Sequence, residues 1–117
     1  MTKNLDGEGL RSVFDNYELF FIDLWGVVHN GIELHENAVH TLSKISEAKK
    51  NYILLTNAPR PNKIVKNFLE KLSLDKRMRD KVFTSGEAAL GYLKKNYINQ
   101  KFYHIGPPRD FNLFIDF

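Results

Sequence analysis

Two short apolar runs in this chain each end in residues able to do chemistry. Phe20-Phe21-Ile22 leads into Asp23, and Tyr52-Ile53-Leu54-Leu55 leads into Thr56-Asn57. Both runs are continuous rather than alternating and rich in branched or aromatic residues, as strands buried on both faces of a parallel sheet are. Ligands of such sheets collect at the carboxyl ends of the strands. A carboxylate ending one strand and a hydroxyl–amide pair ending its neighbour therefore face one crevice, where they can grip the same small anion. The pairing points to chemistry at Asp23.

The elements that place these groups follow from periodicity. The first strand is expected at 19–24, followed by a loop in which Gly26, Asn30 and Gly31 tolerate the backbone angles of tight turns. Over 36–50, Ala38, Leu42, Ile45 and Ala48 recur at helical spacing, with lysines at the far end where the dipole favours them. A second strand is expected at 52–56. Pro59 and Pro61 then break the chain, and Pro61 suits the first turn of a helix striped by Ile64, Val65, Phe68, Leu69 and Leu72. Residues 71–81 are densely charged and read as a solvated helix end and loop.

A third strand at 81–84 runs into Thr84 and Glu87, which have the spacing of a capping box. Ala88, Ala89, Tyr92 and Leu93 continue that helix. A fourth strand is expected at 101–105, stopped by Gly106-Pro107-Pro108. Strands alternating with helices imply an α/β fold, a Rossmann-like parallel sheet with helices on both faces. Residues 1–17 read as a lead-in segment with a helical turn near Leu10 to Phe14, and 18–117 as one core domain.

Composition narrows the class. At 117 residues, the chain has the length of one domain, and 43% hydrophobic with 26% charged residues argues against disorder. A net charge of +3 is mildly basic and reads as a lysine-rich solvated surface; no aromatic interleaving in 71–81 suggests nucleic-acid binding. The absence of cysteine excludes disulfides and thiolate metal sites and favours an intracellular home. The polar start lacks the apolar core of a signal peptide, and no apolar run is long enough to span a bilayer. A soluble, cytoplasmic protein without membrane or nucleic-acid partners is expected.

Asp23-Leu24-Trp25-Gly26-Val27 followed by Leu55-Thr56-Asn57 resembles motifs I and II of the haloacid dehalogenase (HAD) superfamily. The likeness is to class IIA, the nitrophenylphosphatase and nucleotide-phosphatase group. Val82-Phe83-Thr84-Ser85 and Lys101-Phe102-Tyr103-His104-Ile105-Gly106 resemble the next two strands of that class, in the same order. The resemblance implies that Asp23 is a nucleophile forming an aspartyl-phosphate, which water then hydrolyses. It implies that Asp23 and the backbone carbonyl of Trp25 bind Mg²⁺. Thr56 and the backbone N–H of Asn57 would hold the phosphoryl oxygens of a small phosphorylated substrate.

Two departures from that pattern matter. The phosphatases carry a second aspartate two positions after the nucleophile, as general acid and base; here the residue is Trp25, whose indole cannot shuttle a proton. His29 is the one nearby residue able to substitute, against the plainer reading of an ordinary loop histidine. The family's motif III lysine and motif IV acidic pair lie further downstream than this sequence extends, and Lys94, Lys95 and Asp116 do not match them by position. The chain reads as an amino-terminal portion of a class IIA protein, weak or inactive as a hydrolase by itself. The competing reading is a catalytically silent remnant that binds phosphate or a protein. A phospho-accepting receiver domain is disfavoured, because Asp23 lies on the first strand with no acidic pair beside it. His104 is expected to be structural. Phe111, Leu113, Phe114, Ile115 and Phe117 suggest self-association, or association with a complementary fragment, through 111–117.

Overall fold

The computed structural model describes residue 2 and residues 4–114, the side chain of Asn112 excepted. The two apolar runs form β1 (Leu19–Asp23) and β2 (Asn51–Thr56), which pair in parallel with Asp23 opposite Leu55. The third, β3 (Val82–Thr84), pairs in parallel with the other side of β2, setting Thr56 opposite Thr84. The crossovers carry α1 (Glu36–Glu47) between β1 and β2, then α2 (Asn62–Lys71) and the single turn α3 (Lys76–Arg79) before β3. The last helix, α4 (Ser85–Asn96), begins as β3 ends.

Alternation along each strand divides the sheet into two faces. Phe20, Ile22, Tyr52, Leu54 and Val82 meet Leu42 and Ile45 of α1 and Leu69 of α2 in one core. Strand order β1-β2-β3 steps always in one direction, so crossovers of one hand leave both helices on the same face. The opposite face presents Leu19, Phe21, Leu55 and Phe83 to solvent, with Ala88 at the start of α4 beside it. The α/β, Rossmann-like parallel sheet is as anticipated, with its helices unequally shared between faces.

Local signals explain the boundaries. Both α1 and α2 end in the same way. Lys50 N–H donates to the Ile45 carbonyl and Lys49 N–H to Ser46, while Leu74 and Ser73 repeat the pattern on Leu69 and Glu70. These are Schellman ends, each with a non-glycine residue in left-handed backbone, Lys49 at φ 58° and Ser73 at φ 66°. Pro61 sits as the N-cap of α2, one position before the first turn expected for it. The charged stretch 71–81 contains α3, started where the Asp75 carboxylate accepts the Arg77 amide at 2.8 Å. The lead-in makes two 3₁₀ turns, Leu10–Ser12 and Phe14–Asn16. Lys50 holds them, its ammonium 2.8 Å from the carbonyls of both Phe14 and Tyr17.

The fourth strand does not form. Residues 101–105 carry no ladder pairing, and Tyr103 and Ile105 are 91% and 89% exposed. An apolar segment becomes a strand only when a sheet edge takes its backbone groups, and both β1 and β3 keep their outer edges unpaired. Phe111 and Phe114 lie against the ring of His104 at 5.3 and 5.2 Å between centroids. Those phenylalanines belong to a 3₁₀ helix, Pro108–Phe114, which folds back toward α4. The rest of the expected apolar surface, from Ile115 to Phe117, lies outside the described residues. No helix among the described residues is long and apolar enough to cross a membrane.

Candidate functional site

Asp23, Thr56 and Asn57 come together where the sequence places them, at the carboxyl edge of the sheet. They line one crevice of about 500 Å³, with Phe21, Leu55 and Phe83 as its apolar floor and Ser85 at its rim. Asp23 is exposed at the end of β1, on the open face. The Thr56 hydroxyl also shapes the turn behind it, accepting the Ala58 amide at 3.3 Å.

The loop after β1 is wound tightly. The Leu24 carbonyl accepts the amides of Val27, Val28 and His29, and Gly26 N–H donates to the His29 carbonyl at 2.7 Å. None of these bonds goes to the Trp25 carbonyl. The Trp25 side chain is 68% exposed but held in place. His29 lies edge-on to the indole at 5.3 Å, and Gly31, at φ +90°, lies so close that a Cβ would sit 2.5 Å from the ring.

His29 is not the surface histidine its loop position suggests. It is 4% exposed, wedged between Trp25 and Phe68, with Nδ1 accepting the Gly31 amide at 3.0 Å. That bond puts the proton of the neutral ring on Nε2. Burial pushes the His29 pKa below the ordinary histidine value, helped by His35, while the Asp23 carboxylate pulls the other way.

The loop that carries Asn57 is held by residues the sequence reading did not single out as site components. The Ser85 hydroxyl donates toward the carbonyls of Asn57 and Ala58, at 2.9 and 3.0 Å. Thr84 donates its hydroxyl to the Arg60 carbonyl, and Gly86 N–H bonds the Ala58 carbonyl at 3.1 Å. Asn62 accepts the Thr84 amide on Oδ1 at 2.9 Å. Thr84, Ser85 and Gly86 stand together in sequence where β3 meets α4.

Residues 20–115 match the family model described as haloacid dehalogenase-like hydrolase. The chain belongs to that family. It is 31% identical, over 107 residues, to phosphoglycolate phosphatase 2 of Arabidopsis thaliana, covering 87% of this chain and 35% of the plant protein. A haloacid dehalogenase-like hydrolase from Brucella suis superposes with a TM-score of 0.78 at 30% identity, over 92% of this chain and 39% of that one. The 4-nitrophenylphosphatase of Thermotoga maritima shares the fold, with a TM-score of 0.72 at 24% identity over 87% of this chain and 39% of its own. The likeness to the haloacid dehalogenase superfamily read from the motifs is borne out by these comparisons. The chain spans little more than a third of the relatives it matches, corresponding to an amino-terminal portion of them.

Within this HAD-like fold the donor set for a hard cation is right in kind but small. The Asp23 carboxylate and the Trp25 carbonyl are the oxygens at hand. Among the described residues, no three His, Cys, Asp or Glu side chains converge to hold a metal ion. Mg²⁺ commonly binds through one or two carboxylates together with water and substrate phosphate. A carboxylate such as that of Asp23 and a main-chain oxygen such as that of Trp25 are donors of the kind this cation takes.

Proposed function

We propose that this chain carries the nucleophile and phosphate-binding half of a Mg²⁺-dependent phosphomonoester hydrolase. The observation that carries the reading is the convergence of Asp23, Thr56 and Asn57 on one crevice at the strand ends. Its relatives' names, a phosphoglycolate phosphatase and a HAD-like hydrolase, are consistent with it. In this reading an Asp23 oxygen attacks phosphorus, and the bond to the leaving oxygen breaks with its electron pair. Water then attacks the aspartyl-phosphate, restoring the carboxylate and releasing inorganic phosphate. Thr56 and the Asn57 N–H hold the phosphoryl oxygens. Bound Mg²⁺, on Asp23 and the Trp25 carbonyl, would offset repulsion between carboxylate and phosphate.

With Trp25 in the general-acid position, the leaving group receives no proton from it. That assistance is commonly worth about 10²–10⁴ in rate, so turnover by this chain is weak. A cysteine-free chain acting on a phosphate ester with magnesium suits the cytoplasm. The exposed Trp25 and the small donor set favour a second reading, a catalytically silent phosphate-binding module. Purified chain with Mg²⁺ and p-nitrophenyl phosphate, set beside Asp23→Asn, separates the two. Slow turnover lost in the variant supports the hydrolase; indistinguishable background rates leave only the binding module.

A further inference from the structure

The peptide that follows Asn57 is held at both its ends. The β2–β3 register sets Thr56 opposite Thr84, so Ser85, the first residue of α4, comes against the start of the loop. Its hydroxyl donates to the Asn57 carbonyl at 2.9 Å, sharing its proton with the Ala58 carbonyl at 3.0 Å. The N–H of the same 57–58 peptide, that of Ala58, donates to the Thr56 hydroxyl oxygen at 3.3 Å. A trans peptide is planar, with its C=O and N–H pointing in opposite directions. Fixing the carbonyl on Ser85 therefore aims the N–H at Thr56.

We infer that Ser85 is a positioning residue for the phosphate site, acting through the 57–58 peptide on the Thr56 hydroxyl. The inference rests on the reading of Asp23, Thr56 and Asn57 as that site. Ser85 and Thr56 line the same crevice. By accepting the Ala58 N–H, Thr56 uses a lone pair of its oxygen and keeps its proton to donate to a phosphate oxygen. Bonds in such a chain polarise one another, so the Ser85 bond makes the Ala58 N–H, and Thr56 after it, a stronger donor. The loop is also braced without Ser85. Gly86 N–H bonds the Ala58 carbonyl at 3.1 Å, and the Thr84 hydroxyl donates to the Arg60 carbonyl. Losing the Ser85 hydroxyl therefore frees the 57–58 peptide to turn without releasing the loop.

The test is a double-mutant cycle on inorganic phosphate affinity in Mg²⁺ buffer. Wild type, Ser85→Ala, Thr56→Val and the double variant are titrated by calorimetry, far enough to reach the weakest of the four. Ser85→Ala is expected to weaken phosphate about fivefold in the wild-type background and less than about twofold beside Thr56→Val. Ser85→Thr, which keeps the hydroxyl, should bind within about twofold of wild type. A residue that merely supported the loop would weaken binding equally in both backgrounds, since the Asn57 N–H would be displaced in each. That result overturns the inference. So does an affinity unchanged in Ser85→Ala, which leaves the phosphate site standing. Absence of phosphate binding by wild type overturns the site and the inference together. If circular dichroism shows Ser85→Ala unfolded, Ser85→Cys, a weaker donor of similar shape, takes its place under the same outcomes.

Discussion

The backbone amide of Asn62 donates to the Glu87 carboxylate at 2.8 Å, joining the first residue of α2 to the first turn of α4. The Asn62 side chain answers in the other direction, accepting the Thr84 amide. Thr84 in turn accepts the Glu87 amide at 2.9 Å. The result is a capping box with a residue from another helix inserted into it. Glu87 does not reach back to its own N-cap amide, because Asn62 has taken that amide.

Asn62→Ala is therefore expected to strand the buried Thr84 amide and destabilise the chain by about 1–3 kcal/mol. Asn62→Asp keeps the acceptor but sets a second carboxylate against Glu87, so it should fall between the alanine variant and wild type. Urea denaturation read by circular dichroism ranks the three.

Gly86 is where α4 presses against the loop behind Asn57. A Cβ there would lie 2.3–2.6 Å from backbone atoms of Arg60, which cannot rotate away as a side chain end can. Gly86→Ala should cost about 1–3 kcal/mol by overpacking, although alanine is the better helix former. It should also weaken phosphate binding, because the loop it displaces carries Thr56 and Asn57. A variant as stable as wild type in urea would show that the loop yields without cost.

The parts of this fold legible in sequence were those fixed by nearest neighbours in the chain. The apolar runs into Asp23 and Thr56 and the α2 stripe through Ile64, Phe68 and Leu69 needed only periodicity. Thr84 and Glu87 announced a helix start correctly, but not the insertion of Asn62 between them, since that depends on how α2 lies beside α4. Residues 101–105 had the composition of a strand, yet composition cannot supply an edge to pair with. His29 looked like a loop residue because burial by Phe68 is a tertiary fact. The convergence of Asp23 with Thr56 was anticipated from the general behaviour of parallel sheets. The hold of Ser85 on the Asn57 carbonyl was not, because it joins two separate segments.

Ser73 occupies the left-handed position that ends α2, with φ 66°. Glycine carries no Cβ penalty there, and the Schellman bonds from Ser73 and Leu74 use only backbone. Ser73→Gly is expected to stabilise the chain by about 0.5–1 kcal/mol after the added entropy of the unfolded state is subtracted. Thermal unfolding should shift upward by a few degrees, and ligand affinity should not change, because Ser73 lies far along the chain from the crevice.

Removal of Mg²⁺ distinguishes the role of Asp23 from that of its neighbours. In the reading proposed above, the carboxylate and a bound phosphate repel each other unless a cation lies between them. Adding EDTA should weaken inorganic phosphate binding by at least about tenfold in wild type, by losing that compensation. In Asp23→Asn the repulsion is gone, so EDTA should have little effect. Calorimetry on both proteins, with and without chelator, gives the four affinities; an equal loss in both would assign the cation to other ligands.

Thr56 has two uses that a pair of substitutions can separate. Its hydroxyl accepts the Ala58 amide across 3.3 Å, a long bond that contributes about 1 kcal/mol or less to stability. Thr56 also lines the crevice, where a hydrogen bond from its hydroxyl to a phosphate oxygen would be worth more, about 1.5–3 kcal/mol for a charged partner. Thr56→Val preserves the branched shape that suits the end of β2 and removes only the hydroxyl. It should leave urea stability within about 1 kcal/mol of wild type while weakening phosphate binding roughly tenfold or more. Thr56→Ser restores the hydroxyl without the methyl and should recover most of the affinity. If the valine variant binds phosphate as well as wild type does, Thr56 only shapes the turn, and the anion is gripped by backbone amides.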